Sequence, residues 1–383
     1  MTQNMADIAC LVVTCKQQHR PFGSACRLHD AKFVTSSASW ILYETSPMSA
    51  LDRPLLSFIV YAYQQEKFVV EAVQAAFAQT YSPLEVILSD DASQDGTFAV
   101  MGALAAGYKG PHSIVLRQST ENLGTRRHLS EVFRIAKGEL FVLAAGDDVS
   151  VPERATRTWE AFSASAGRAR SIMSDFHGID ESGKDLAGSY QPSCPATYDN
   201  FIKDRFSAFG ATQSVHRSVW DVFGPMAFGY HEDQVLLHRA LLLGEVAYIP
   251  EKLVRRRRHG TNVSGGSGGH RGSEQAYRAF RQRAEADSLA ANGGMLTDYL
   301  RFRVLRPEDP RAMRRHVRLI VRRIRIAEYW GRFFGSSFLA LPLLVVEGAF
   351  RGLPLRRVLR EFRTLAGQFL RRSRSMAALL ARS

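Results

Sequence analysis

Between residues 54 and 145 the chain alternates short, almost wholly apolar runs with longer amphipathic segments, and this alternation restricts the fold more than any other feature. The runs that predict strands are Leu55–Tyr63, Leu84–Asp90, Ser113–Gln118 and Leu140–Ala145. The segments that predict helices are Glu66–Gln79, Thr97–Tyr108 and Arg126–Lys137. Strands without a polar face are typical of a parallel sheet covered by helices on both sides. The pattern therefore predicts an α/β fold with a mostly parallel sheet.

Polar side chains follow the predicted strands at the point where each strand ends. They are Tyr61, Tyr63, Asp90, Asp91, Asp147 and Asp148. Ligands of open α/β sheets bind at the carboxyl ends of the strands. A carboxylate cluster at this edge suits a divalent cation such as Mg²⁺ or Mn²⁺, which prefers oxygen ligands and often shares substrate phosphates. Asp90 has a second possible role, as an acceptor of hydrogen bonds from a base or a ribose.

A simpler interpretation makes some of these carboxylates helix caps. Asp91 or Asp95 precedes one predicted helix, and Asp148 precedes a segment in which Pro152 suits a first helical turn. Capping alone explains one such site better than it explains two sites on the same edge of the sheet.

Four short motifs, in order and with matching spacing, resemble those of family 2 glycosyltransferases, which have the GT-A fold. They are Tyr61–Glu66, Asp90–Thr97, Asn122–Gly124 followed by Ala136–Glu139, and Ala145–Asp148 followed by Pro152. The resemblance implies a nucleotide-sugar donor. By the same resemblance the donor-binding residues are Tyr61, Tyr63, Glu66, Asp90, Asp91, Asn122, Gly124, Arg126, Gly146, Asp147, Arg257 and His259.

The motifs also depart from the family pattern. Tyr61, Gln64 and Ala92 replace the family's Pro, Asn and Gly, and Ala145 replaces the first Asp of the metal motif. The resemblance assigns the metal to Asp147 and Asp148. With one anionic ligand missing, metal affinity should be weaker unless the sugar diphosphate supplies oxygens.

The resemblance continues into the second half of the chain. Glu232 and Asp233 match the family's acidic pair, whose Asp is the catalytic base, and Arg255–Arg258 with His259 match a basic motif that would neutralise a diphosphate leaving group. Two simpler interpretations remain open. The acidic pair also suits a helix N-terminus, and four consecutive arginines also suit a solvated or nucleic-acid-binding patch.

The C-terminal region is strongly basic. Residues 301–383 contain 20 arginines, no lysine and five acidic residues, a net charge of +15. Apolar residues at helical spacing, bordered by arginines, occur in residues 314–330 and 355–369, and a short apolar segment, Phe333–Val346, lies between them. This arrangement suits an anionic membrane surface, and the segment is too short for a simple membrane span. The alternative is a helical appendage that packs on the catalytic domain.

The chain divides on composition into five parts. Residues 1–47 are predicted to be a disordered or mis-annotated extension, with translation starting at Met48, or else a poorly ordered native tail. Residues 48–165 form the donor half, 166–264 the acceptor half, 265–273 a Gly/Ser linker, and 274–383 the basic helical region. The four cysteines match no zinc spacing, and we interpret them as reduced thiols.

Together these features predict an inverting, metal-dependent glycosyltransferase. It would move a sugar to a hydroxyl of a glycan or lipid-linked acceptor in cell-surface polysaccharide assembly. We expect it to be cytoplasmic, peripheral on the inner face of the membrane, and without a nucleic-acid partner. The alternative is a catalytically inactive GT-A-like protein that serves as a nucleic-acid- or lipid-binding module.

Overall fold

The structure is a computed structural model, and it describes residues 53–226, 231–260, 274–306 and 309–336, with residues 344, 359–361 and 363. The predictions for residues 1–47 and for the linker 265–273 lie outside the described residues, as do most of Phe333–Val346 and of residues 355–369. Cys194 is a free thiol. The division into a donor half and an acceptor half stays a prediction.

The first half of the sheet is confirmed as predicted. Its elements are β1 (Leu56–Ala62), α1 (Val69–Phe77), β2 (Leu84–Asp90), α2 (Thr97–Gly107), β3 (Ser113–Gln118), α3 (Thr125–Ile135) and β4 (Leu140–Ala145). The four strands are parallel and lie in the order β3-β2-β1-β4. Successive βα units therefore deliver their carboxyl ends to one edge.

The two faces of these strands pack in separate apolar clusters. Phe58 and Val60 of β1 lie in one cluster, whereas Ile59 lies in the other. The neighbouring strands alternate in the same way, with Val142 on the first face and Phe141 on the second. This burial on both faces explains why the strands lack polar alternation in the sequence.

The second half of the sheet is mixed. Its elements are β5 (Val149–Ser150), α4 (Arg154–Ala164), β6 (Ala169–Ile179), β7 (Asp185–Leu186), α5 (Tyr198–Ile202), a 3₁₀ turn (Gly210–Thr212), β8 (Ser214–His216), α6 (Ser218–Phe223), α7 (Glu232–Leu243) and β9 (Glu245–Arg257). Strand β8 is antiparallel to β4 and β6, and β6 is parallel to β9. The two-residue β5, which directly follows Asp148, pairs antiparallel with Val254 and Arg255 of β9. That pairing carries the end of β9 to the predicted metal motif.

Two long helices, α8 (Glu274–Leu305) and α9 (Pro310–Gly335), pack on each other and on α5 and α7. Asp309 caps α9 by accepting hydrogen bonds from the backbone N–H groups of residues 311 and 312. Arg239 of α7 donates from Nε to Asp298 Oδ2 of α8 at 2.8 Å, and both side chains are largely buried. Helix α8 is therefore joined to α7 by a buried ion pair as well as by apolar contacts.

The apolar stripe of α9 is used within the protein. Ile320 is fully buried, and Val317 and Ile324 pack against the same cluster, which includes Tyr198 of α5 and Tyr299 of α8. For this stripe the structure shows the packing appendage that we named as the alternative to membrane contact. Within the described ranges there is no helix both long and apolar enough to cross a membrane.

Candidate active site

The register of the parallel strands brings the predicted donor-binding residues to one edge. Ala62 of β1 lies opposite Asp90 of β2, and Tyr61 lies opposite Ala145 of β4. The loops that follow these strands are linked to one another, since the backbone N–H of Asp91 donates to Ala62 O and that of Gly146 donates to Tyr61 O. The sequence prediction that strand ends converge here is confirmed.

Asp90 lies at the bottom of this edge and is completely buried. Its Oδ2 accepts hydrogen bonds from the backbone N–H of Ser93 and from Gln118 Nε2, both at 2.9 Å. Next to it, Ser89 Oγ lies 2.5 Å from Nε2 of His128, and burial lowers the pKa of that imidazole to about 4. A fixed carboxylate beside a neutral imidazole and an amide is suited to hydrogen bonding with a nucleotide base.

Asp91 organises the loop before α3. Its Oδ1 accepts from the backbone N–H of Leu123 at 3.1 Å, and its Oδ2 accepts from that of Gly124 at 2.8 Å. Gly124 has φ 72°, a left-handed conformation that costs glycine little, and Asn122 Oδ1 also accepts from its N–H at 3.0 Å. Asp91 and Asn122 therefore shape the start of α3.

Glu66 and Asp95 lie at the start of α2. Glu66 Oε2 accepts from the backbone N–H of Gly96 at 2.9 Å, and Asp95 Oδ1 accepts from that of Thr97 at 3.1 Å. The capping interpretation of Asp95 is thereby confirmed. Glu66 also caps this helix, because it accepts a hydrogen bond from a backbone N–H group at the helix start. Tyr63 is 41% exposed, so its ring is open to a ligand.

Two of the sequence departures occupy strained backbone positions. Gln64 has φ 52° and Ala92 has φ 60°. Asn and Gly, the residues of the family pattern at these positions, adopt left-handed conformations most readily. Gln64 and Ala92 hold left-handed conformations here although their side chains disfavour them.

At the end of β4, Asp147 is 8% exposed, and its Oδ2 lies 2.9 Å from Nε2 of His259. The His259 ring packs on Phe68 with ring centroids 4.6 Å apart. Gly146 allows the turn to sit against the first loop, because a Cβ there would lie 2.5 Å from Gln65 Oε1. The geometry thus joins two predicted donor-binding residues that are 112 positions apart.

Asp148 points to a different set of partners. Its Oδ1 accepts from the backbone N–H of Arg257 at 2.8 Å. Burial, helped by the charge of Asp147, raises the pKa of Asp148 to about 8. The buried guanidinium of Arg154 lies nearby, and burial lowers its pKa to about 10 against the opposing effect of the Asp148 charge. Asp148 is the less suited of the two aspartates to hold a metal.

The guanidinium of Arg257 makes its hydrogen bonds within the protein. Its Nε donates to Asp147 O at 3.1 Å, its Nη1 to the carbonyl of residue 181 at 3.1 Å, and its Nη2 to Glu71 Oε1 at 2.8 Å. It is 1% exposed and lies over the Phe68 ring. In this geometry Arg257 fixes the metal-motif loop in place, and its predicted contact with the donor stays a prediction.

Arg256 lies on the other face of β9; it belongs to the basic motif of the sequence but was not among the predicted donor-binding residues. Its guanidinium lies 5.3 Å from the centroid of the Phe209 ring, and its charge lowers the pKa of Asp148. Phe209 is also stacked with Phe176 and Tyr190, at centroid distances of 4.5 and 5.5 Å. Arg256 and this aromatic stack form one wall of the site.

Glu232 and Asp233 begin α7. Asp233 Oδ1 accepts from the backbone N–H of Gln234 at 2.7 Å, and its Oδ2 accepts from that of Gly210 at 3.2 Å. Burial raises the pKa of Asp233, while His231 and these N–H groups oppose the rise. Burial and the Asp233 charge raise the pKa of Glu232 to about 7, and Arg126 lowers it. Glu232 therefore changes its charge near neutral pH, next to the carboxylate of Asp233.

Beside burial, the charges of both carboxylate pairs, Asp147 with Asp148 and Glu232 with Asp233, raise the pKa of Tyr61. Burial raises the pKa of its phenol well above the ordinary value, and the charges of Glu232, Asp148, Asp147 and Asp233 add to this in decreasing order. The predicted metal pair and the predicted base pair therefore face one region at the end of β1.

Comparison with known proteins gives a family match for the part of the chain that contains the ends of β1, β2 and β4. Residues 57–211 match the family model described as glycosyl transferase family 2. Over these residues the chain is similar to family 2 glycosyltransferases.

Individual relatives are similar to part of the chain. An uncharacterized protein of Mycobacterium tuberculosis is 38% identical over 94 residues, which are 24% of this chain and 27% of that protein. The putative glycosyltransferase EpsE of Bacillus subtilis is 34% identical over 101 residues, 26% of this chain and 36% of that protein. The matches thus span about a third or less of these relatives.

A solved structure resembles the chain over a longer range. S. aureus TarS residues 1–349, in complex with UDP-GlcNAc, aligns with a TM-score of 0.50 at 14% identity and covers 79% of this chain and 82% of that chain. At this identity the likeness concerns the fold, and it confirms a GT-A-like architecture to which C-terminal helices are added.

Several residues of the candidate site had no signal in the sequence motifs. His128, Gln118 and Arg154 lie outside the matched motifs and reach the site only through the packing of α3, β3 and α4. For Arg256 the sequence did indicate that its surroundings differ from those of Arg257. Alternate residues of a strand face opposite sides, so neighbouring arginines of β9 must have different surroundings.

Proposed function

We propose that the chain transfers a sugar, with inversion of the anomeric configuration, from a nucleotide-sugar donor to a hydroxyl of a glycan or lipid-linked acceptor. The observation that carries the proposal is the convergence of two carboxylate pairs on Tyr61, one at the donor edge of the sheet and one at the start of α7. A transferase that uses direct displacement needs a charge-stabilising group at the leaving diphosphate and a base at the attacking hydroxyl.

The donor would lie along the edge formed by β1, β2 and β4. Asp90, with Gln118 and His128 beside it, offers buried hydrogen-bonding groups for the base, and the exposed ring of Tyr63 offers a surface for stacking. The diphosphate would then reach the Asp147 loop, where Arg256 supplies a positive charge next to Asp148.

The side chains at the end of β4 fit a divalent cation that shares its ligands with a diphosphate. The described residues contain no group of three or more His, Cys, Asp or Glu side chains able to hold a metal. They do contain one carboxylate and one imidazole, Asp147 and His259, whose ligating atoms are 2.9 Å apart. Bound Mg²⁺ or Mn²⁺ would stabilise the negative charge that develops on the diphosphate. Ala145, which stands where the family pattern has Asp, supplies no ligand, so oxygens of the donor diphosphate would complete the coordination of the cation.

Asp233 would remove the proton from the acceptor hydroxyl as that oxygen attacks. Its two oxygens are oriented by the N–H groups of Gly210 and Gln234, which lower its pKa and hold the carboxylate in place. Glu232, with its pKa raised to about 7, would stay partly protonated at neutral pH, which limits repulsion within the pair. A single displacement assisted by one base inverts the anomeric centre.

Protection against thermal unfolding tests this proposal. UDP-, GDP- and dTDP-sugars are each added to the full chain with and without Mn²⁺. At 100 times its Kd a ligand that binds only the folded state stabilises it by about 2.7 kcal/mol. We expect one nucleotide class to raise the Tm, more so with Mn²⁺, and the free sugars, as matched controls, to leave it unchanged. No shift with any sugar nucleotide would contradict the proposal.

We also propose that the protein works on the cytoplasmic face of an anionic membrane, close to a lipid-linked acceptor. Seven arginines of α9 are exposed: Arg311, Arg314, Arg315, Arg318, Arg322, Arg325 and Arg332. At about 100° per residue they fall within an arc of about 100° on the helix, so they form one cationic stripe. The apolar face of α9 packs inside the protein, so it cannot insert into the membrane. The attraction between α9 and the membrane surface would therefore be mainly electrostatic.

Vesicle co-sedimentation tests the membrane proposal. A variant with Arg314, Arg318 and Arg322 changed to Gln removes three charges from the stripe, each contributing about 1 kcal/mol near an anionic surface. We expect its partitioning onto phosphatidylserine-rich vesicles at low salt to fall by about 10²-fold, and binding of the unmodified chain to fall with added salt. The matched control changes Lys109, Arg127 and Lys137, also exposed, to Gln. Equal losses in both variants would show that net charge, and not the stripe, is responsible.

A further inference from the structure

A cavity of about 460 Å³ lies between the acceptor half and the two C-terminal helices. Its walls include Phe206 before the 3₁₀ turn, His231 and Gln234 at the start of α7, Asn292 and Met295 on α8, and Arg323 on α9. Its volume is in the range of small-molecule sites, which usually combine an apolar surface with a few polar groups.

Two side chains of the cavity lining each carry a buried polar atom without a hydrogen-bond partner among the described residues. Asn292 is 3% exposed, and its Nδ2 donates to Ser288 O at 2.7 Å, but among the described residues its Oδ1 has no hydrogen-bond partner. Within the same ranges the buried Nη1 of Arg323 has none either, although its Nη2 lies 2.9 Å from Asp204 Oδ1. A buried acceptor without a partner is unusual in a native protein and costs stability unless a ligand satisfies it.

The cavity does not call for a charged ligand. Asp204 is paired with Arg323, and Glu285, also in the wall, is paired with Arg281 at 3.3 Å. The groups that remain are an amide oxygen, which needs a donor, and a guanidinium N–H, which needs an acceptor. A hydroxyl group serves as both, and the rings of Phe201 and Phe206 offer an apolar surface for the C–H face of a sugar.

The position of the cavity relates it to the site described above. His231 and Gln234, which line it, directly flank Glu232 and Asp233, which face Tyr61. A ligand held there would lie next to the first turn of α7, which carries Glu232 and Asp233. We propose that this cavity binds a neutral sugar unit of the acceptor, away from the hydroxyl that reacts. The proposal rests on the proposed function for the identity of the acceptor.

Saturation-transfer NMR on the full chain tests the proposal, with the methyl glycosides of glucose, galactose, mannose and N-acetylglucosamine as probes. Ala284→Phe fills the cavity from α8 without removing a hydrogen bond, and Ala290→Phe is the matched control at an exposed position of the same helix. Asn292→Leu removes the unpartnered acceptor at similar volume. Thermal unfolding of each variant separates loss of binding from loss of fold.

We expect at least one glycoside to bind the unmodified chain and Ala290→Phe equally, and to bind Ala284→Phe at least about tenfold more weakly. Asn292→Leu should weaken binding about three- to tenfold without lowering the Tm, because a desolvated acceptor is removed. Binding should persist in Asp147→Asn, which alters the donor edge alone. The inference is wrong if no glycoside binds, if Ala284→Phe binds normally, or if Asp147→Asn abolishes binding. Since the glycosides need no donor, failure of the proposed function would appear separately, as an absent response to sugar nucleotides.

Discussion

Asp233→Asn is expected to lower sugar transfer by about 10²-fold or more while donor binding stays within a factor of about two, in the range for loss of a general base. The amide keeps the size of the carboxylate and can still accept a hydrogen bond from Gly210 or Gln234, so the start of α7 should stay in place. It cannot take the proton of the acceptor hydroxyl. Transfer is measured as steady-state turnover, and donor binding as thermal protection by the sugar nucleotide.

Glu232→Gln is the matched control, because it changes the adjacent carboxylate in the same way. Glu232 has its pKa raised to about 7, so it is protonated below that pH and charged above it. Its neutral variant resembles the low-pH form and should keep most of the transfer activity, with a flatter pH dependence around 7. If donor binding and transfer fall in parallel in Asp233→Asn, Asp233 binds substrate and is not the base.

Much of the donor edge could be predicted from the sequence because it depends on local pattern. One apolar run ends in Asp90 and another ends shortly before Asp147. These runs place both residues at strand ends, whatever the packing of the helices. The register of β1 with β2 and β4 then follows from the βα connections. The capping role of Asp95 was also predictable, since it depends on residues two positions away.

The role of Arg257 could not be predicted in this way. Its position depends on the pairing of β5 with β9, two segments about 105 residues apart that share no periodic pattern. Four consecutive arginines give no indication of which one is buried. Only the length of β9 and its pairing with β5 show that Arg257 faces inward, toward Glu71, while Arg256 lies on Phe209.

The apolar stripe of α9 shows a second limit of sequence patterns. A helix that packs on a protein and a helix that lies on a membrane have the same 3.6-residue spacing of apolar side chains. The distinction comes from partners on other elements, here Tyr198 of α5 and Tyr299 of α8, and from the contact of His316 with Asp199 at 2.7 Å. None of these contacts has a local signal.

The second large effect concerns the end of β4, where Asp147→Asn is expected to abolish metal-stimulated transfer with the fold intact. Asp147 Oδ2 and His259 Nε2 are close enough to share one cation, and Ala145 offers no carboxylate to replace the lost charge. The amide is a much weaker ligand for Mg²⁺ or Mn²⁺. Titration calorimetry with Mn²⁺ in the presence of the nucleoside diphosphate measures the binding directly, apart from turnover.

Asp148→Asn is the control for this change, since it removes an adjacent carboxylate whose surroundings differ. In the folded protein burial raises the pKa of Asp148 to about 8, so at neutral pH the group is largely protonated. Because the unfolded chain loses this proton at the ordinary pKa of 3.8, the stability of the fold falls as the pH rises from there to about 8. An Asn there keeps the acceptor for the Arg257 N–H and should preserve both the Tm and most of the Mn²⁺ affinity. Metal-stimulated transfer that survives Asp147→Asn would show that the cation is not held by Asp147, and the pair with His259 would then serve only to join β9 to the end of β4. Equal loss in both variants would show that Asp148 also holds the cation.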